Sequence, residues 1–276
     1  MFNNFINIHE LTKYKPIDSI VYKNRPPEKL LLHDLVIVYN DGRNNKIYDL
    51  DFLSNNPIIY DKYYDSVVVN SESGLEQVDV TITHCQISLS TIIYFGKYKL
   101  STYVYRNNIV IQNVDDDDEY ILQLSGEIYS KKSNSKIDKK IFRVGTKIMT
   151  LRQAISNYPD GIFNDDMVKN EEILFPNNIY NKIFDEIYLE LSKHHHKIDP
   201  KTIIYGIEYY SSDEATTKKF SAIVNKNTHT NFNLGKSFEK YFSKTISKLL
   251  EKGAFITPCY FGPWVLFHPK TKIIYI

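Results

Sequence analysis

Residues Val78 to Asn113, VDVTITHCQISLSTIIYFGKYKLSTYVYRNNIVIQN, decide the fold class. β-branched and aromatic residues dominate, and the breaks fall at turn residues, the signature of short strands in succession. Four strands are expected. Gly96-Lys97 suits a two-residue turn with glycine first, and Asn107-Asn108 suits one whose central residues both take φ > 0, so two tight hairpins are predicted. In the first strand Val80, Ile82 and His84 point one way and Thr81, Thr83 and Cys85 the other, since side chains alternate across a sheet. That alternation argues against a dyad between His84 and Cys85.

Upstream, Leu35–Tyr39 reads as a strand, Asn40-Asp41-Gly42 as a turn and Lys46–Leu50 as a returning strand, with a helical turn starting at Asp49. Val67–Val69 is a further short strand before a polar loop, Asn70–Gln77. Residues 1–30, broken by Pro16, Pro26 and Pro27, form either an arm packed through Phe2, Phe5, Ile6 and Tyr22 or a loose terminus.

Downstream, the five acids Asp115–Glu119 do not follow a calcium-loop spacing and read as a solvated loop tip. Tyr120–Ile128 is a strand ending near Gly126, and Lys131–Lys140 a basic loop. Thr150-Leu-Arg-Gln153 is a capping box, so a short helix begins there with Leu151 and Ile155 inward, stopping at Tyr158-Pro-Asp-Gly161. Beyond a polar boundary at 164–172, residues 178–193 and 238–250 each carry one apolar face of an amphipathic helix, and Gly253 closes the second. Lys201–Tyr210, Phe220–Val224 and Lys272–Ile276 are strand-like. The expected fold is α+β: an antiparallel, meander-rich sheet, closed or rolled into a barrel, with two C-terminal amphipathic helices packed on it. The divisions are an N-terminal arm (1–30), a β-rich core (31–163) and a helix-containing half (164–276).

A chain of 276 residues buries a substantial core without staples. With 34 Lys+Arg against 33 Asp+Glu, no overall field favours nucleic acid or an anionic membrane. Two cysteines, Cys85 and Cys259, form neither a disulfide framework nor a zinc spacing, so a reducing compartment is the expectation. No apolar run approaches the roughly 18 residues of a bilayer span, and the N-terminus lacks a secretory h-region, so a cytoplasmic protein without a membrane partner is expected. The 22 tyrosines against one tryptophan, with heavy Asn, Ile and Lys usage, match an AT-rich genome.

Asp79-Val-Thr-Ile-Thr-His-Cys85, Asn107-Asn-Ile-Val-Ile111, Leu124-Ser-Gly126 and Leu151-Arg-Gln-Ala-Ile-Ser-Asn-Tyr-Pro-Asp160 follow one another in an order that resembles a widespread microbial domain of unknown function. Its members read V-T-x-C-P-x-C-G, N-N-L-V and W…P-D-T, and the base composition suits a member from a giant DNA virus. Where the family carries C-P-x-C-G, this chain has Cys85-Gln-Ile-Ser-Leu89, which removes the dithiol and any metal-thiolate role. The resemblance implies a fold and no reaction. Trp264-Val-Leu-Phe-His-Pro-Lys-Thr271 echoes the Leu151–Asp160 segment, and Thr202–Tyr210 echoes Leu35–Tyr39, as a degenerate internal repeat would.

Candidate catalytic residues are Cys85, as a thiolate nucleophile, with His268 or His229 as its base. Against that stands a buried cysteine acting as a small hydrophobe. His194-His195-His196 diverge by about 100° each on a helix and do not chelate together, so no metal site is expected. Trp264 and His268 line a pocket or plug the core, and His84 is a further candidate binding residue. Tyr94, Tyr98, Tyr103, Tyr105 and Arg106 suit a stacking platform for single-stranded nucleic acid, although the adjacent acidic run opposes it. No P-loop, dinucleotide fingerprint, HExxH or GxSxG occurs, and no cofactor is implied. Three functions follow from this reading: a non-catalytic interaction or structural protein with a protein partner or self-association, a thiol-dependent or hydrolase-like enzyme, and a single-strand binder.

Overall fold

The computed structural model describes residues 5–18, 20–65, 76–165, 198–210, 218–224, 249 and 253–275. They fall into two units, Met1–Cys85 with Thr91–Leu174, and Gln86–Ser90 with Phe175–Ile276. In the first unit the strands are β1 (Ile6–Asn7), β2 (Tyr22–Lys23), β3 (Leu35–Asn40), β4 (Asn45–Asp49), β5 (Ile58–Asp65), β6 (Glu76–Cys85) and β7 (Ser90–Phe95). Next come β8 (Tyr98–Tyr105), β9 (Asn108–Asn113), β10 (Glu119–Leu122), β11 (Ile128–Ser130), β12 (Ser135–Ile137), β13 (Arg143–Val144), β14 (Lys147–Thr150) and β15 (Ile162–Asn164). Helix α1 (Leu50–Asn55) follows β4 and α2 (Leu151–Asn157) follows β14. The second unit holds β16 (Ile203–Tyr210), β17 (Lys218–Val224), β18 (Phe255–Tyr260), α3 (Phe261–Phe267) and β19 (Lys272–Tyr275).

The β-rich α+β reading holds, and the barrel does not. Three sheets form the first unit, in the orders β1-β8-β9-β10-β11-β12, β13-β7-β6-β5 and β14-β3-β4-β15-β2; the second unit's sheet is β18-β16-β17-β19. Among the described residues each runs from one edge strand to another, so none closes on itself. At Gly96 the chain does not fold back. β7 pairs with β13, whereas β8 pairs with β1 and β9 in a different sheet. Thr81 holds this crossover, donating to Gly96 O at 2.7 Å and accepting from Tyr98 N at 3.0 Å. The second turn is a true hairpin, one residue earlier than expected: Arg106 and Asn107 take φ of 46° and 63°, and Tyr105 faces Asn108. The predicted strand Tyr120–Ile128 is split by a turn, and part of the basic loop pairs as β12. The two amphipathic helices at 178–193 and 238–250, the strand Val67–Val69, His194–His196 and His229 lie outside the described residues, Leu249 apart.

The two units repeat one topology and register. In the first, Ile37 on β3 faces Tyr48 on β4 and Ile148 on β14; in the second, Tyr205 on β16 faces Ile223 on β17 and Pro258 on β18. A strand after the helix then joins in parallel, Ile162 beside Lys46 and Lys272 beside Ser221. Both helices start from an extended cap, Thr150 (φ −72°, ψ 153°) and Tyr260 (φ −71°, ψ 144°). Their first N–H groups, which have no partner inside a helix, are satisfied alike. Leu151 N and Arg152 N donate to Asp34 O and Leu32 O, while Phe261 N and Gly262 N donate to Thr202 O and Pro200 O. Around α2 the core is Val36, Val38, Ile47, Met149, Leu151, Ala154 and Phe163. Ala154, rather than the expected Ile155, joins Leu151 inside, because the 38% exposed Ile155 sits on the outer side of the turn.

Candidate functional site

A bulge in β8 builds the concavity on the first unit's six-stranded sheet. Leu100 faces Ile111 and Val104 faces Ile109, so Ser101, Thr102 and Tyr103 together oppose Val110. Bulges bend a strand and re-aim its side chains. Ser101 pegs this one, donating to Val110 O at 2.7 Å and accepting from Tyr103 N at 3.1 Å. Ile8 N reaches Thr102 O at 2.6 Å, which ties the N-terminal segment to the bulged strand. Directly opposed pairs put Lys99, Gln112 and Tyr120 in one row across β8, β9 and β10. Together with Leu11, Tyr14, Pro16, Tyr103 and Lys131 this row lines an open groove of about 420 Å³, within the usual size range for ligand sites.

The acidic run bonds to the row that lines the groove. Asp117 accepts from Lys99 at 2.8 Å, and Gln112 Nε2 donates to Asp117 O at 2.6 Å and to the Tyr120 hydroxyl at 3.3 Å. Asp118 accepts from Ser130 Oγ and Lys132 N, and the Ser130 bond holds its pKa below the usual carboxylate value. Glu119 accepts from Lys139 and Asn113. The carboxylates thus order the β9–β10 turn, and among the described residues no group of three or more His, Cys, Asp and Glu converges to hold a metal. Lys131 is different. Its ammonium stands 5.6 Å from the Tyr103 ring centre, and the Tyr103 hydroxyl beside it raises its pKa. Among the described residues no carboxylate forms an ion pair with it.

A cluster of ionisable side chains sits in the first unit's interior around Lys46. Lys46 lies 2.9 Å from Asp41 and 2.7 Å from Asp61. Tyr22, Tyr39 and Tyr48 donate to the same Asp61 oxygen at 2.6, 3.0 and 3.2 Å, and the Tyr22 and Tyr48 hydroxyls also touch. Burial first, and Asp61 among the charges, raises all three phenols well above their ordinary pKa, so they stay protonated and donate. Two carboxylates and one ammonium leave a buried negative charge that three O–H groups offset. This cluster fastens β2, β3, β4 and β5 together. A second network runs from Asn108 to Gln123 Oε1 at 2.8 Å and from Gln123 to Thr83 Oγ1 at 3.1 Å.

The residues singled out in the sequence are mostly interior. Cys85 is wholly buried in the first unit, and His268 belongs to the second. His84 is buried too, with Nδ1 at 2.8 Å from Thr91 Oγ1 and Nε2 at 3.4 Å from Ser54 Oγ, and burial drives its pKa down to about 3. Tyr94 is buried with its hydroxyl donating to Gln123 O, so its ring offers no platform. Arg106 is exposed at the hairpin turn, its guanidinium 5.4 Å from the Tyr105 ring centre. Trp264 is wholly buried over Gly206, where a Cβ would come within 2.3 Å of the indole. The thiol that shares a unit with His268 is Cys259, and burial raises its pKa far above the thiolate range. His268 stacks on Phe220 at 4.0 Å, with Nε2 4.0 Å from buried Glu208, which pairs with Lys218.

Of the tyrosines proposed as a platform, only Tyr103 lines the groove; Lys99, Gln112, Tyr120 and Lys131 went unread. The directly opposed row follows from strand register, which short sequence windows do not fix. No helix among the described residues is long and apolar enough to cross a membrane. No family model, curated protein or solved structure matches the chain.

Proposed function

We propose that this is a non-catalytic interaction protein whose recognition surface is the groove beside the β8 bulge. The observation that carries the reading is a contrast in placement. Cys85, Cys259, His84, His268 and Glu208 are all at most 5% exposed, whereas Lys131 stands exposed at the groove. A nucleophile must be reachable and ionisable; a recognition surface needs reachable charge beside apolar walls. Kinetic thiol titration tests this. In native protein neither cysteine reacts with a disulfide reagent on the minutes timescale, and both react in denaturant. Rapid native modification of Cys85 would instead establish the thiol-dependent alternative.

A further inference from the structure

We infer that Lys46 and Asp41 condense into an intramolecular amide, with Asp61 as proton carrier, so that the protein slowly closes its own β3–β4 hairpin covalently. This self-modification is independent of the groove. The groups that such a condensation needs, an amine, a carboxyl and a second acid, converge in the first unit's interior. Lys46 Nζ lies 2.9 Å from Asp41 Oδ2 and 2.7 Å from Asp61 Oδ2, and the three side chains are 5%, 0% and 12% exposed. Reactants held at this range need no encounter, which removes a large part of the barrier. The two carboxylates are held differently. Asp61 accepts from three phenols, the ammonium and Lys62 N, and a carboxylate so surrounded is a poor electrophile. Asp41 Oδ1 accepts from Arg43 N at 2.9 Å and Asn44 N at 2.6 Å, two backbone donors placed where negative charge develops if its Cγ is attacked. Asp41 Oδ2 takes no hydrogen bond, so the amine meets this carboxyl off the N–H···O direction.

The step balances. The ammonium passes one proton to Asp41 Oδ2, leaving a neutral amine beside a carboxylic acid. The Nζ lone pair forms a bond to Asp41 Cγ, and the carbonyl π pair moves onto Oδ1. Asp61 takes a second proton from Nζ and delivers it to Oδ2; the Cγ–Oδ2 bond breaks and water leaves. One N–H stays on the amide and Asp61 ends as a carboxylate, so no oxidant or cofactor is consumed. Three charges in this interior become one, which relieves the desolvation that an interior ion cluster costs. Only the neutral amine and acid react, and the ion pair is the form they start from, so the amide accumulates on standing rather than during folding.

The test is peptide mapping of the full chain by mass spectrometry, freshly purified and after weeks at room temperature and neutral pH. In the open chain trypsin cuts after Arg43 and Lys46 and releases residues 30–43, 44–46 and 47–62. The amide blocks the cut after Lys46 and joins 30–43 to 44–62 as one branched peptide, lighter than its two parts by one water. Fresh protein keeps the Lys46 amine, which acetic anhydride labels once the chain is denatured; the branched peptide then grows in with time and is not labelled at Lys46. Lys46→Arg, which keeps the charge without a nucleophilic amine, abolishes it. Asp61→Asn, which removes the proton carrier, slows it about tenfold or more. Asp41-Gly42 can also lose water by closing a cyclic imide on the Gly42 nitrogen, but that loss stays within 30–43 and survives Lys46→Arg. A water loss confined to 30–43, or full recovery of 30–43 and 44–46 as separate peptides after incubation, overturns the inference. Branched peptide forming at the wild-type rate in folded Asp61→Asn overturns the role given to Asp61. The wild-type map decides the amide itself whether or not the variants fold.

Discussion

At the scale of single residues, buried polar groups determine how this protein responds to pH and to substitution. Burial lowers the pKa of His84 to about 3, against about 6.5 in the unfolded chain. Between those values the unfolded state binds more protons, so stability falls as pH is lowered, by about 1.4 kcal/mol per unit from this group, and is fully restored above pH 6.5. His84→Gln should flatten the dependence of the urea midpoint between about pH 6 and pH 4 relative to wild type; an unchanged slope would place the proton elsewhere. Lys46→Met removes the cation between Asp41 and Asp61 and should cost about 3–5 kcal/mol, because the buried Asp41 and the part-buried Asp61 then lose their shared counter-charge. Equilibrium urea unfolding measures it. Lys46 was legible only as a strand residue and Asp61 not as part of any element, since their partnership depends on how β4 and β5 come together. His84 was legible only as lying on the face opposite Cys85.

Elements were legible where the signal is local. The capping box at Thr150 and Gln153 forms as read: Gln153 N donates to Thr150 Oγ1, and Thr150 N to Gln153 Oε1. Thr150→Ala should cost about 1 kcal/mol by urea unfolding. Gly96 misled because a glycine turn reads the same whether the chain returns to its neighbour or crosses to another sheet. Trp264 and His268, on and just after helix α3, were read as lining a pocket or plugging the core, and the helix's role is clear only beside its counterpart. Val38 and Ala154 in the first unit occupy the places of Gly206 and Trp264 in the second, so large-beside-small becomes small-beside-large. Trp264→Ala should cost about 3–5 kcal/mol. Gly206→Val alone drives a side chain into the indole and should also destabilise. The double variant should be more stable than the sum of the two costs predicts, since each change makes room for the other. Strict additivity in denaturant titrations would refute the exchange.

Over the whole molecule, a shared β-β-β-α-β register builds both units. The segment between β4 and β14 of the first unit carries β5 to β13 and, with them, the sheet side of the groove. Pattern alone showed the strand-rich class and the echo between the Leu151 and Trp264 segments. It did not show four open sheets, because sheet membership is set by pairing across long sequence separations. The groove was hidden for the same reason: Lys99, Tyr120 and Lys131 meet through register and a bulge. The account divides the reactive side chains into those locked inside and those offered at the groove, and amine footprinting by mass spectrometry tests that division directly. On native protein Lys131 should be acetylated early and Lys46 only after denaturation. Native labelling of Lys46 as fast as Lys131 would contradict it.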